Sequence, residues 1–178
     1  MKLYLVQHIT GIGVLLLHIT IVILLAYLIY KKKTKKEIPL FENIFVKKGM
    51  HVVLLSVFLS FLMSIIFSDI YHFPPCKLCW FQRVAMYPQM LIMFIALRKK
   101  DIFAWTYSFW LSLIGFLIAG YQTLEQFRIK TLPQAECVIG ADAACSQIHM
   151  LEFGYITLPL ASLSVFAFIL ILFLLRKK

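Results

Sequence analysis

The stretch FPPCKLCWFQR, residues 73–83, separates two apolar segments and decides how this chain folds. It places two prolines directly before a Cys-x-x-Cys pair, Cys76 and Cys79, and an arginine, Arg83, one helical turn later. Proline cannot continue a preceding helix, but it is tolerated in a first helical turn. We therefore expect a new helix to begin near Cys76 and Lys77, with Cys79 in its first turn.

The composition of this 178-residue chain is that of a membrane protein. Hydrophobic residues make up 62% of it and the mean hydropathy is +0.88, whereas soluble domains are nearer half apolar. A helix needs roughly 20 apolar residues to cross the hydrocarbon core. Five segments are long enough for this, namely Leu5–Tyr30, Val52–Ile70, Trp80–Leu97, Ile102–Leu124 and Tyr155–Leu175. The first is too long for a signal peptide and lacks a clean cleavage site before Lys31, so we expect it to be retained.

The basic residues are clustered, and their positions predict the orientation of the spans. The formal net charge is +10, and most of it comes from Lys31–Lys48, Arg98–Lys100 and Arg176–Lys178. These clusters fall on one side if five helices alternate, and basic flanks favour the cytoplasm. The sequence thus predicts five spans, with the N-terminus outside and the C-terminus cytoplasmic. The charge is read as a topology signal and not as a nucleic-acid site; a lipid-binding basic patch is the lesser alternative.

This orientation puts all four cysteines on the outer side of the membrane. They lie in or at the edge of two loops, 69–79 and 125–154, and are Cys76, Cys79, Cys137 and Cys145. Disulfides form and persist outside the bacterial plasma membrane. Four cysteines allow three pairings. Proximity along the chain favours Cys76–Cys79 and Cys137–Cys145.

Cys79 is the predicted reactive thiol. The N–H groups and dipole of a first helical turn favour an anion there, and Arg83 lies four residues on, on the same helix face. Both effects favour the thiolate, which is the reactive form. An arginine within a membrane helix needs a partner, although Arg83 reaching to the interface is the alternative. His72 is a candidate for proton transfer, with a plain loop histidine as the alternative.

The second cysteine pair suggests a relay of thiol–disulfide exchange. The stretch CVIGADAAC, residues 137–145, is small and flexible, so a disulfide there constrains the chain little and is more plausible as an exchangeable bond than as a structural staple. Exchange passes two electrons per step through a mixed disulfide. The chain has no nucleotide motif, and Trp80 stands where a haem-attachment motif has histidine. A quinone is then the expected electron acceptor.

The core from about Met50 to Leu175 resembles the DsbB family of quinone-dependent disulfide-forming membrane oxidases, in its shorter Gram-positive form. CKLCWFQR at 76–83, the later pair Cys137 and Cys145, and FGYITLPLASL at 153–163 carry the resemblance. It implies a four-helix transmembrane bundle at 50–178, with the redox centre at its outer end. Residues 1–30 then form one additional N-terminal transmembrane helix, and residues 31–49 form a basic cytoplasmic linker.

The resemblance also implies the roles of the site residues. Cys137 would form the mixed disulfide with a DsbA-like thioredoxin-fold thiol oxidase, with Cys145 as its loop mate. Cys76 would exchange with the loop pair, Cys79 would face the quinone ring, and Arg83 would lie beside it. The acceptor would be ubiquinone or menaquinone in the bacterial plasma (inner) membrane. Better-known Gram-negative members carry a histidine where Gln126 stands here, which leaves the proton route open.

Three other functions fit parts of the pattern. A vitamin K epoxide reductase-like oxidoreductase uses similar chemistry, but there the loop pair precedes the membrane Cys-x-x-Cys. A structural membrane protein with two loop disulfides is disfavoured, because a Cys-x-x-Cys disulfide is strained and easily reduced. A zinc site is disfavoured by the loose spacing of the second pair, and no metal is predicted.

Overall fold

The computed structural model describes residues 2–127 and 148–177 of the chain. The predicted loop pair, Cys137 and Cys145, lies outside these residues, so its pairing and its role stay predictions. The structural statements below refer to the described residues.

Helices account for most of the described chain. They are α1 Lys2–Thr34, α2 Pro39–Phe41, α3 Gly49–Ile65, α4 Lys77–Lys99, α5 Ala104–Gln126 and α6 Leu158–Lys177. Two π-helical turns, Glu42–Lys47 and Ile66–Ile70, precede and extend α3. Within the described ranges the β-structure amounts to one isolated bridge between Glu152 and Ile156. The prediction of an all-α protein is confirmed.

Four helices of the described chain are long and apolar enough to cross a membrane. They are Leu3–Thr34, Gly49–Ile70, Ala104–Gln126 and Leu158–Arg176. The predicted membrane protein with an extra N-terminal helix is thereby confirmed. The fifth predicted span falls in α4, which is 23 residues long but carries Arg83, two basic residues in its last turn and buried glutamines. Because α4 packs between α3 and α5, it runs within the bundle; its crossing and the sidedness of the loops stay predictions.

The helices α3 to α6 form a bundle, and α1 packs on the outside of α6. Within the bundle α5 contacts both α4 and α6, and α3 contacts α4 and α6. The approach of α5 to α6 is close, since a Cβ at Gly115 would overlap the ring of the fully buried Phe166. Small residues at such crossings let membrane helices pack by direct contact.

The first turn of α4 forms as the sequence predicts. Pro74 and Pro75 end the preceding segment, and Cys76 is the N-cap residue with an extended backbone. Its sulfur accepts a hydrogen bond from the backbone N–H of Cys79, with an N–Sγ distance of 3.4 Å. The cap thus turns both side chains of the Cys-x-x-Cys toward the same end of the helix.

Candidate active site

The two cysteines of α4 form a dithiol at the N-terminal end of the bundle. Both are free thiols, Cys76 is buried and Cys79 is half-buried. Their Sγ atoms lie 2.9 Å apart. Conversion between dithiol and disulfide therefore needs only a small movement of the side chains.

Two glutamines from neighbouring helices hold this dithiol. Gln122 of α5 is 2% exposed, and its Nε2 atom lies 3.2 Å from Cys76 Sγ and 3.5 Å from Cys79 Sγ. Its Oε1 atom accepts a hydrogen bond of 2.6 Å from Nε2 of Gln82, one turn into α4. Because the amide oxygen of Gln122 accepts this hydrogen bond, its NH₂ group must point the other way. Gln82 thereby orients the Gln122 N–H groups toward the sulfurs.

The surroundings separate the acidities of the two thiols. The hydrogen bond from Cys76 lowers the pKa of Cys79, the N–H of Gln122 and the charge of Arg83 act in the same direction, and burial opposes them. The pKa of Cys76 is raised, first by the same hydrogen bond and then by burial. These directions favour Cys79, which precedes the predicted span at Trp80–Leu97, as the thiolate of the pair. Its role as the reactive cysteine stays a prediction.

Arg83 lies beside the dithiol but is held by α3. Its Nη2 atom donates a hydrogen bond of 3.3 Å to the backbone oxygen of Ser64, and its guanidinium lies 5.2 Å from the centroid of the Trp80 ring. In the described residues no hydrogen bond joins Arg83 to either sulfur, so it acts on Cys79 through its charge. A carbonyl and an aromatic face satisfy the arginine without requiring it to reach water.

A cavity of about 460 Å³ opens next to Cys79, between α1, α3, α4 and α6. Cys79, Gln82, Arg83 and His149 line it together with one threonine and five serine hydroxyls, while more than half of the lining residues are aliphatic, aromatic or proline. This volume and this lining are typical of sites for small apolar ligands that are oriented by a few polar groups.

Three site residues were missed by sequence reasoning. Gln82 directly precedes Arg83 in α4 and Gln122 belongs to the polar stretch YQTLEQ at the end of α5, and intramembrane polar residues are a general signal of function. His149 lines the cavity, and its ring stacks on Phe73 at a centroid distance of 5.1 Å. His72, the histidine nominated from sequence, is exposed and is not among the cavity-lining residues.

Gln126 is the residue predicted to stand where Gram-negative members of the family carry a histidine. It is buried in the last turn of α5, one turn beyond Gln122. Residues four apart lie on one helix face, so Gln126 extends the polar face that Gln122 begins. Its assignment to the place of the family histidine stays a prediction.

A helical membrane protein that holds a polarised dithiol at the mouth of an apolar cavity is a thiol–disulfide oxidoreductase by its chemistry. The family described as "Disulfide bond formation protein DsbB" matches residues 47–176. The chain belongs to the DsbB family, and it is accordingly a membrane protein of disulfide bond formation. The match leaves out α1 and most of the basic segment that follows it.

Similar proteins carry names that agree with this family. The SPbeta prophage-derived disulfide bond formation protein B of Bacillus subtilis (strain 168) is 42% identical over 119 residues, which cover 65% of this chain and 78% of that protein. The probable disulfide formation protein C of Halalkalibacterium halodurans is 35% identical over 131 residues, or 70% and 90% of the two chains. The probable disulfide formation protein of Oceanobacillus iheyensis is 32% identical over 145 residues, or 82% and 93%. No solved structure matches the chain.

Proposed function

We propose that this protein reoxidises a DsbA-like thioredoxin-fold thiol oxidase outside the cytoplasm and passes two electrons to a membrane quinone, ubiquinone or menaquinone. The observation that carries the proposal is the apolar cavity at Cys79. A thiolate that opens onto a cavity between membrane helices is accessible to a lipid-soluble oxidant.

The residues present fit a quinone. The cavity of about 460 Å³ has room for a ring beside Cys79, and Arg83 lines the same wall. A guanidinium near a carbonyl oxygen stabilises the negative charge that gathers there on reduction. When bound, the quinone supplies a two-electron, two-proton oxidising capacity.

The cysteines of the chain move the electrons by two exchanges. The partner's thiolate attacks the proposed Cys137–Cys145 disulfide at Cys137, and the second partner thiol resolves the mixed disulfide, which leaves the loop pair reduced. The loop pair then reduces the proposed Cys76–Cys79 disulfide by attack at Cys76, releasing Cys79 as the thiolate. Reoxidation of Cys76 and Cys79 to the disulfide would pass two electrons to a bound quinone. The Cys76 thiol would supply one of the two protons that the hydroquinone needs, and water on the outer side would supply the other.

Gln122 and Gln82 maintain the released thiolate. The Gln122 N–H groups face both sulfurs at 3.2 and 3.5 Å, so they stabilise negative charge on Cys79 while the site is reduced. Hydrogen bonds to a charged group contribute about 1.5–3 kcal/mol. The pair is thus kept in its reactive form until the acceptor takes its electrons.

The test is partner-dependent quinone reduction by purified protein in detergent. With a reduced thioredoxin-fold partner and menaquinone or ubiquinone analogues, we expect loss of the oxidised-quinone absorbance, and we expect none from Cys79→Ser. Thr20→Ala, which removes an exposed hydroxyl of α1 that does not line the cavity, is the control and should retain turnover. Serine substitution of Cys76, Cys137 or Cys145 should also abolish partner-dependent quinone reduction. Full turnover by Cys137→Ser and Cys145→Ser would refute the relay, and no quinone reduction by folded, oxidised wild-type protein would refute the acceptor.

A further inference from the structure

We propose that the N-terminal helix α1, which lies outside the family match, forms one wall of the acceptor site and binds the prenyl chain of the quinone. The inference rests on the proposed function for the identity of the ligand. Its geometric basis is independent of that function, because α1 contributes directly to the cavity that opens at Cys79.

One stripe of α1 faces the cavity. Its lining residues are Ile9, Thr10, Gly13, Val14 and Leu17. Each of them has another member of the set three or four positions away, so they lie on one helix face. From the first to the last the helix rises about 12 Å. The wall is therefore longer than a single ring, and it continues away from the dithiol.

The charged and ring-bearing polar side chains of the cavity lie at one end, and the rest of its lining combines apolar side chains with the hydroxyls of α1, α3 and α6. Cys79, Arg83 and His149 lie at the end where α1 begins, since Gln7 of α1 donates a hydrogen bond of 3.3 Å to the backbone oxygen of His149. Opposite the α1 stripe, Leu59 of α3 is one of the apolar side chains that continue the wall. An aliphatic chain attached to a ring at Cys79 has this apolar space to occupy.

The segment 148–157, which carries His149, attaches this wall firmly to the bundle. His8 Nδ1 lies 3.0 Å from a carboxylate oxygen of Glu152, and Gly11 packs so closely on Glu152 that a Cβ would lie 2.9 Å from the Cβ of Glu152. Deeper in the helix, Nε2 of His18 lies 2.6 Å from the hydroxyl of Ser164 in α6. These contacts lie at the two ends of the cavity-facing stripe. They hold this part of α1 in one position, as the wall of a binding site requires.

Gly13 marks the free volume within the stripe. A Cβ placed there would meet no heavy atom within 4 Å, in contrast to the contact at Gly11. A side chain at Gly13 therefore starts in open space, and a larger one would extend into the cavity that this residue lines. It would occupy the space that we assign to the prenyl chain.

The experiment compares Gly13→Phe with Ile12→Phe. Ile12 is the adjacent residue, is 43% exposed and does not line the cavity, so it controls for a new aromatic ring on α1. The substrates are menaquinone-4 and menadione, which is the same ring system without a prenyl chain. We expect Gly13→Phe to raise the KM for menaquinone-4 about tenfold, which corresponds to the loss of about two buried methylene groups of the prenyl chain. The KM values for menadione and for the partner should stay within about twofold of those of the wild-type protein.

A second readout does not depend on turnover. We would extract and quantify the quinone that copurifies with each variant, and we expect less with Gly13→Phe and with the smaller Gly13→Leu than with Ile12→Phe. Unchanged KM and unchanged quinone content in folded Gly13 variants would overturn the proposal, as would equal losses for both substrates. A third outcome separates the two proposals. If the wild-type protein copurifies with more quinone than the Gly13 variants but reduces no quinone, the proposed function is refuted and the binding of the prenyl chain by α1 is supported.

Discussion

Replacement of Gln122 by leucine tests whether the buried amide stabilises the Cys79 thiolate. Leucine keeps the side chain large but removes the N–H groups that lie 3.2 Å from Cys76 Sγ and 3.5 Å from Cys79 Sγ. A hydrogen bond to a charged group contributes about 1.5–3 kcal/mol, and one pKa unit corresponds to about 1.4 kcal/mol. Because the Cys79 contact is long, we use the lower end and expect the pKa of Cys79 to rise by about one unit.

The sign of the pH effect follows from the lowered pKa of Cys79. The thiolate of the wild-type protein is present above that lowered pKa and is lost as the pH falls through it. In Gln122→Leu the loss begins at higher pH, so alkylation at pH values below both pKa values should be about tenfold slower. The assay is the rate of iodoacetamide alkylation of reduced protein against pH, with the modified cysteine located by mass spectrometry.

Gln89→Leu is the matched control for this experiment. Gln89 is also a fully buried glutamine of the bundle, but its Oε1 accepts hydrogen bonds of 3.1 Å from Ser108 and Ser112 and it has no contact with the cysteines. We expect Gln89→Leu to lower the thermal stability and to leave the alkylation profile where it is. A profile that does not move in folded Gln122→Leu, or that moves equally in both variants, refutes the role assigned to Gln122.

Two further predictions concern the arginine and the closest helix crossing. Arg83→Ala should raise the KM for quinone more than the KM for partner in steady-state assays, because Arg83 lines the cavity; equal increases would contradict this. Gly115→Ala should lower the unfolding temperature in detergent, with a cost of about 1–3 kcal/mol for overpacking, because its Cβ overlaps Phe166. Gly120→Ala is the control, since its Cβ would lie 3.7 Å from Leu163; equal unfolding temperatures would show that the α5–α6 contact relaxes.

Local features of the chain were predictable from its sequence. Prolines at 74 and 75 act through the backbone of their own neighbourhood, so the start of α4 at Lys77 and the place of Cys79 in its first turn follow from them. Four of the five predicted spans are long and largely apolar, so these helices are found by length and composition, whereas the fifth, in α4, is interrupted by Arg83 and glutamines. The spacing of Arg83 from Cys79 fixes their common helix face in the same way.

The partners of the dithiol were not predictable, because they come from elements far away in sequence. Gln122 lies 43 residues after Cys79, and a glutamine in the last turns of a helix gives no indication of which neighbouring helix it faces. The same holds for His149, which reaches the cavity through the segment that returns to α6. Sequence reasoning nominated His72 because it is close along the chain, and nearness along the chain does not determine nearness in space.

The sequence by itself determined an all-α membrane protein and the first turn of α4 with Cys79 in it, because each depends on residues within a turn or a single span. Only the tertiary structure decided that Gln122, bound by Gln82, contacts the dithiol, that Arg83 is held by the backbone oxygen of Ser64, and that α1 lines the cavity. These arrangements depend on which helices are neighbours and how they are rotated about their axes. That choice is made by packing across the whole bundle, and no local pattern in the chain encodes it.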